Sequence, residues 1–332
     1  MFETNAHEPK YSIVVPFHNE EESVVQLHER LAEIMDGRYE PVEYVFVDDH
    51  STDATSRLLA RIGERDPRVR VIRLKRNYGQ TAALAAGFDY AQGEIIIAMD
   101  GDLQHDPSDI PAMLDTMETT GCDIVSGWRK KRVDNFWLRR LPSRTANWLM
   151  AKLSGVAIHD FGTTFKVYRR DVIKEIALYG ELHRFIPALA SWHGATVVEV
   201  PIRNIERPQG RSHYGISRTT RVFFDLITIR FLLRYMTQPL HFFGSAGLAG
   251  LVGGGGILIW LLFEKVLYGS HLFLQHGPLL LLGMILLLFG VQLLALGLLG
   301  ELMMRTHFDA HRQPIYRVES VLGNAQYTET RQ

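Results

Sequence analysis

Two stretches of 24 residues, Leu240–Phe263 and Gly277–Gly300, carry no charged side chain. Each is long enough to cross the hydrocarbon core of a bilayer, which takes ~20 apolar residues as a helix. Lipid offers backbone N–H and C=O groups no partner, so such stretches are helical. The second is apolar on every face, unlike the surface helix of a soluble domain. The first contains Gly253–Gly256, a weak helix former in water but tolerated in membranes, where small residues allow close packing. Thirteen residues, Glu264–His276, separate the two. The pattern predicts a helical hairpin with both chain ends on one side. Arg211, Arg218, Arg221, Arg230 and Arg234 precede it, Arg305, Arg312 and Arg317 follow it, and the connecting loop has only Lys265. The positive-inside rule then places the rest of the chain in the cytoplasm.

Before the hairpin the chain is long enough for a sizeable core of its own. Net charge over the 332 residues is −1, which gives no global pull toward nucleic acid. One cysteine, Cys122, excludes an internal disulfide and suits a reducing compartment. The first ten residues are polar, and the first apolar run, Ile13–Val15, is too short for a signal peptide.

Short Val- and Ile-rich runs at Tyr11–Phe17, Val42–Asp48, Val69–Leu74 and Glu94–Met99 read as strands buried on both faces. Helical patterns lie between them, at Glu20–Met35, Thr52–Glu64 and Thr81–Ala91. Such alternation predicts an α/β fold with an open, mostly parallel sheet and helices on both faces. Further strands are expected over Asp123–Arg129 and Thr196–Ile202. Ligands of such sheets sit at the carboxyl ends of the strands. Those ends read PFHNEE (Pro16–Glu21), VDDHSTD (Val47–Asp53), KRNYGQTAA (Lys75–Ala83) and MDGDLQHDP (Met99–Pro107). Three of the four carry carboxylates, and the third is basic. Ser51 or Asp53 also reads as a cap for the second helix, but capping does not account for acids repeated along one edge.

Asp100, Gly101 and Asp102 form an acid-x-acid pair after a buried strand. With Gln104 they make a hard oxygen set suited to Mg²⁺ or Mn²⁺, and no Cys/His spacing fits zinc. A divalent ion there would stabilise a diphosphate leaving group. A basic stretch, Trp128–Arg144, follows, with Arg129, Lys130, Lys131, Arg132, Arg139, Arg140 and Arg144. It can screen an anionic acceptor or face lipid headgroups. Ile216–Met236 is apolar with scattered arginines, the pattern of short interfacial helices.

Together VVPFHNEEE, VDDHSTDAT, RNYGQTAALAAG and AMDGDLQHDP resemble the family-2 glycosyltransferases of the GT-A fold. The hairpin and the closing RQPIYRV narrow the likeness to bacterial polyprenyl-phosphate glycosyltransferases and dolichol-phosphate mannose synthase. The resemblance runs from Tyr11 to Val318. It implies an inverting enzyme of the bacterial inner membrane that moves a sugar from a UDP- or GDP-sugar to undecaprenyl phosphate with a divalent cation. It also implies a homo-oligomer, a tetramer in relatives. The expected organisation is a tail (1–10), a catalytic domain (11–214), interfacial helices (215–238), two spans (239–301) and a cytoplasmic tail (302–332).

Carried over residue by residue, the resemblance assigns Pro16, Glu20, Asp48 and Asp49, with Asp100 and Gln104, to the nucleotide-sugar. Asp100, Asp102 and Gln104 would hold the metal. Arg129 would face the phosphates, with Asp160 as a base if one is used. Arg139 and Ser143 would grip the acceptor phosphate. Arg207, Gly210, Ser212 and His213 would form a lid. The chain departs from the family at His213, where lysine is usual, and at Lys166, where arginine is frequent. His213 would contact phosphate only when protonated. An acceptor phosphate is already anionic near neutral pH, so the chemistry needs positioning more than a base. Two other readings are a processive polysaccharide synthase and a non-catalytic membrane scaffold. The first lacks its Gln-x-x-Arg-Trp motif here, and the second does not explain the retained acids. Glucose, mannose, galactose, N-acetylhexosamine and aminoarabinose stay undistinguished as the sugar.

Overall fold

The computed structural model describes residues 9–36, 39, 41–130, 156, 158–176, 178, 182–203, 205, 239–269, 272–310 and 314–323. The chain divides into two units, Met1–Asp225 with Pro314–Gln332, and Leu226–Gln313.

The first unit begins with β1 (Tyr11–Phe17), α1 (Val24–Met35), β2 (Val42–Asp48), α2 (Thr55–Arg65), β3 (Val69–Leu74), α3 (Gln80–Tyr90) and β4 (Ile95–Ala98). It continues with α4 (Ile110–Thr120), β5 (Ile124–Trp128), β6 (Lys166–Arg169), α5 (Arg170–Glu175), α6 (Ile186–Trp192), β7 (Val197–Pro201) and, after the second unit, β8 (Val318–Leu322). These eight strands form one sheet in the order β7-β5-β6-β4-β1-β2-β3-β8. Alternate residues face two separate cores, as the two-residue repeat of a strand requires. Ile13, Val15, Phe17, Tyr44 and Phe46 pack with α1, α2 and α4 on one face. Val14, Val45 and Val47 pack with α3 and α5 on the other. Helix α3 lies very close to β1: a Cβ at Gly87 would stand 2.2 Å from Val14 Cγ1.

Four of the seven strand pairings are parallel: β1–β2, β1–β4, β2–β3 and β5–β7. The three antiparallel ones involve β6 and β8. The sheet is therefore mixed, with a parallel centre. Because β6 runs opposite to both neighbours, its first residue, Lys166, pairs with Ala98 of β4 and Ser126 of β5. It thus joins the edge where β1 to β5 end. Strand β8 comes from the stretch expected to be a tail, and its start, Val318, pairs with Leu74 at the same edge.

The second unit is a helical pair, α7 (Pro239–Tyr268) and α8 (Leu272–Ala310). Phe243–Leu267 and His276–Gly300 are long and apolar enough to cross a membrane, and only 17 % and 11 % of their most apolar windows is buried. That separates them from core helices of a soluble domain. The helices touch through glycines: a Cβ at Gly247 would lie 2.8 Å from the Gly290 carbonyl, and one at Gly254 2.7 Å from that of Gly283. Small residues bring membrane helices this close. Of the run Gly253–Gly256, only Gly254 meets α8; the other three face open space. Near the turn, His276 Nε2 is 3.2 Å from Glu264 Oε1.

Candidate active site

The loops after β1, β2 and β3 are stitched into one wall. Asn19, at φ 56°, donates its N–H to Ser51 Oγ and accepts Thr52 N–H at Oδ1. The Glu20 N–H donates to Thr55 Oγ1, and Ala54 N–H to Glu21 Oε2. His18 Nδ1–H donates to the Asp49 carbonyl, which leaves Nε2 to accept Asn77 Nδ2 at 3.0 Å. Asp53 accepts the Thr55 N–H at the start of α2, whereas Ser51 serves the neighbouring loop instead. Asp48 is fully buried, with Oδ1 accepting Ser51 N–H and Oδ2 the Ser56 hydroxyl. Both oxygens of Asp49 accept backbone N–H groups, of Tyr78 at 2.7 Å and Gly79 at 2.8 Å. Asp49 therefore sets the start of α3. Pro16 and Glu20 are half-buried on this wall.

Setting α3 places Gln80 beside Asp100. Gln80 Nε2 donates to Asp100 Oδ1 at 2.6 Å. The turn after β4 is tight. A Cβ at Gly101 would lie 2.5 Å from the Phe17 ring, so only glycine lets the acid pair fold back against β1. The Gly101 carbonyl accepts Ser23 Oγ, Asp102 Oδ1 accepts Gln104 N–H, and Leu103 takes φ 58°. Gln104 is anchored through its own carbonyl, which accepts Ile205 N–H. Asp100 stays 27 % exposed at its side chain.

Around the inner side of Asp100 stand four further groups. Arg129, just past β5, donates from Nε and Nη2 to the two oxygens of Asp160 at 2.7 and 3.0 Å, a bidentate pair. Asp160 Oδ1 also accepts Gly162 N–H. Lys166 is completely buried and donates to the Thr163 carbonyl. Burial pulls its pKa down to about 8, against the pull of Asp160. His105, 2 % exposed, has Nδ1 3.9 Å from Asp100 Oδ2. Burial first, and Arg129 next, bring its pKa down to about 4, so the ring is neutral. Burial raises the pKa of Asp100, opposed by Thr164, Arg129 and Lys166.

An acid turn, a pinned arginine and a buried lysine thus converge from β4, β5 and β6. Residues 12–177 match the family model described as "Glycosyl transferase family 2". The chain is 42 % identical to a dodecaprenyl-phosphate galacturonate synthase of Rhizobium johnstonii, over 94 % of this chain and 93 % of that one. The chain belongs to glycosyl transferase family 2. It is a glycosyltransferase of the GT-A type. It is also 35 % identical to an undecaprenyl-phosphate 4-deoxy-4-formamido-L-arabinose transferase of Pseudomonas aeruginosa, over 94 % of this chain and 90 % of that one. Among solved structures, a glucosyl-3-phosphoglycerate synthase from Mycobacterium tuberculosis, in complex with Mn²⁺, UDP and glucosyl-3-phosphoglycerate, superposes with a TM-score of 0.53. At 16 % identity, covering 67 % of this chain and 80 % of that one, it shows the shared fold.

Of the family-2 residues expected from the sequence, Asp100, Asp102, Gln104, Arg129 and Asp160 gather at the β4–β5–β6 end of the edge. Pro16, Glu20, Asp48 and Asp49 form the adjoining wall. Arg139, Ser143, Arg207, Gly210, Ser212, His213 and the interfacial stretch 215–238 lie outside the described residues. Gln80 and His105 were not expected. Gln80 sits in a loop that reads as basic, and His105 follows Gln104 in the acid motif itself.

Proposed function

We propose that this glycosyltransferase moves a sugar from a nucleotide-sugar to the phosphate of a polyprenyl phosphate, with a divalent cation at Asp100 and Asp102. The observation that carries the reading is the Arg129 guanidinium, held by both oxygens of Asp160 and near enough to Asp100 to favour its charged form. Polyprenyl-phosphate relatives at 42 % and 35 % identity support the acceptor. Two carboxylates and the Gln104 amide oxygen suit Mg²⁺ or Mn²⁺, which fill their remaining positions with water and substrate phosphates. The cation supplies charge that stabilises the departing diphosphate.

The chain's own residues then do the following. Pro16 and Glu20 line the nucleotide, while Asp48 and Asp49 hold the wall in shape. Arg129 and Lys166 balance the negative charge of two phosphorylated substrates. Asp160 is committed to Arg129, so it orients that arginine and takes no proton. None is needed, because the acceptor phosphate is an anion. Its oxygen attacks the anomeric carbon, the bond to the diphosphate breaks, and the configuration inverts. Arg139 and Ser143 grip the acceptor phosphate, and Arg207, Gly210, Ser212 and His213 close over the donor.

The hairpin explains how the enzyme meets its lipid. Moving an isoprenoid into water costs ~0.8 kcal/mol per CH₂, so the catalytic unit is held at the inner-membrane surface by two spans, with both termini cytoplasmic. The 42 % identity to a galacturonate synthase supports taking an activated uronic acid as the first donor to test.

The test is incubation of detergent-purified protein with undecaprenyl phosphate, Mn²⁺ or Mg²⁺, and UDP-galacturonate, UDP-4-deoxy-4-formamido-L-arabinose or UDP-glucose. Lipid products are read by mass. A single sugar on the lipid phosphate, lost on chelation, is expected. A growing polymer, or no lipid product from any donor, would overturn the reading.

A further inference from the structure

We propose that His105 is a positioning residue for Asp100: its Nδ1–H stands ready to hydrogen-bond Oδ2 and set that carboxylate for the cation. The inference rests on the cation reading given under Proposed function. It starts from a tautomer. Thr163 is 1 % exposed, and its Oγ1 accepts Phe165 N–H at 3.2 Å. The hydroxyl proton then has one acceptor among the described contacts, His105 Nε2 at 3.3 Å. With Nε2 accepting that proton, the ring's own hydrogen sits on Nδ1.

That Nδ1–H is buried and has no hydrogen-bond partner. Leaving a buried donor unpaired is unfavourable, and such orphans call for an explanation. The Asp100 Oδ2 that faces it is 3.9 Å away, about 1 Å beyond an ordinary N–H···O bond. A second buried hydroxyl, Thr164 Oγ1, lies within reach of the same carboxylate and favours its charged form. Two buried donors therefore flank Asp100, of which His105 Nδ1–H has no partner, while Gln80 Nε2 donates to Oδ1 at 2.6 Å. Asp100 and Asp102 would hold the cation, and His105 Nδ1–H, with Thr164, would donate to Oδ2 and orient that carboxylate for it. Because Nδ1 carries the proton, it offers no lone pair to a metal. It acts one shell out, as the partners of metal-ligating carboxylates commonly do.

His105 also packs on Phe165, with ring centroids 5.5 Å apart, so packing and hydrogen bonding must be separated. His105→Phe keeps a ring without the donor. His105→Asn keeps a donor near the Nδ1 position without the ring. The measurement is binding of Mn²⁺ alone, and of Mn²⁺ with UDP, to the full chain in detergent, by the electron paramagnetic resonance of free Mn²⁺. Thermal melting of each variant is recorded beside it. We expect His105→Phe to weaken Mn²⁺ by about 10–100-fold and His105→Asn to stay close to wild type. Thr163→Val, which frees the tautomer, should weaken Mn²⁺ by less than His105→Phe. Wild-type affinity in the Phe or Val variant, or equal losses in the Phe and Asn variants, would overturn the proposal. A wild-type chain that binds no Mn²⁺ under either condition would overturn the cation reading itself, and this inference with it.

Discussion

Two acid pairs close strands on the same edge of the sheet, Asp48–Asp49 after β2 and Asp100–Asp102 after β4. In sequence they are alike, and each follows a buried apolar run. Their surroundings differ. Asp49 is 3 % exposed and holds two backbone N–H groups that cannot move away. Asp48 is held by Ser51 N–H and the Ser56 hydroxyl. Asp100 is partly exposed, and its partners are side chains, the exposed Gln80 at Oδ1 and Thr164, with no backbone N–H among the described contacts. On the proposed reading, a carboxylate at a strand end serves as a metal ligand where fixed backbone donors do not already hold both of its oxygens. On that reading the first pair shapes the wall, and the second, with Asp100 partly exposed, meets the substrate.

The largest effect that can break this contrast is on activity. Asp100→Asn and Asp102→Asn should each lower kcat/KM by about 10³-fold in the lipid-transfer assay, with melting temperature unmoved. The next largest is on stability. Asp49→Ala strips the acceptor from the N–H groups of Tyr78 and Gly79, at a cost of roughly 2–4 kcal/mol by unfolding in urea. Its activity should fall only as far as Gln80 is displaced. If Asp49→Ala kept its stability while Asp100→Asn unfolded, the roles assigned to the two pairs would be reversed.

How far the sequence could carry this follows from particular residues. Strands β1, β2 and β3 have the bounds their apolar runs predict, because burial on both faces leaves a continuous signal. Helices α1 and α2 start later than their periodicity suggests, at Val24 and Thr55. The residues before them, Glu20 and Thr52 among them, are drawn into bonds between loops. Strand β6 escaped notice: it is four residues long and opens on Lys166, which reads as polar yet is buried. Strand β8 lies beyond the apolar helical hairpin, and its partner β3 is fixed by no local pattern. At the site, the acid turn was legible from its position after a strand. His105 was not, since its tautomer depends on Thr163, 58 residues away.

A smaller effect concerns what supports the open pair. Thr81, the neighbour of Gln80 in α3, bonds His183 Nδ1 at 2.7 Å through its hydroxyl. Burial pulls the His183 pKa down to about 3 from its ordinary 6.5. Between those values the unfolded chain takes up a proton that the folded chain refuses. This group's contribution is therefore intact above pH 6.5 and is lost progressively as pH falls toward 3. Urea midpoints measured from pH 7 to 4 should decline less steeply in His183→Gln than in wild type. Equal slopes would mean that His183 is protonated without penalty, and that the first turn of α3 is less firmly seated than its contacts indicate.

The smallest effect tests whether Asp48 is self-sufficient. Arg73 Nε lies 3.7 Å from Asp48 Oδ2 and 3.2 Å from Glu319 Oε2, the latter on β8. Arg73 and Glu319 are 38 % and 45 % exposed, so their ion pair is screened by water. Such pairs contribute ~0–1 kcal/mol. Glu319→Gln should therefore shift stability by less than about 1 kcal/mol and weaken its dependence on salt. Arg73→Met should cost little more, because Ser51 N–H and the Ser56 hydroxyl still satisfy Asp48. The informative reading is the KM for the nucleotide-sugar in the two variants. If both leave it unchanged, Asp48 is held by its own loop, and β8 closes the sheet edge without touching the chemistry. A rise in KM with Arg73→Met alone would instead make Arg73 part of the nucleotide wall. A rise with both would tie β8, the strand that follows the hairpin, to donor binding.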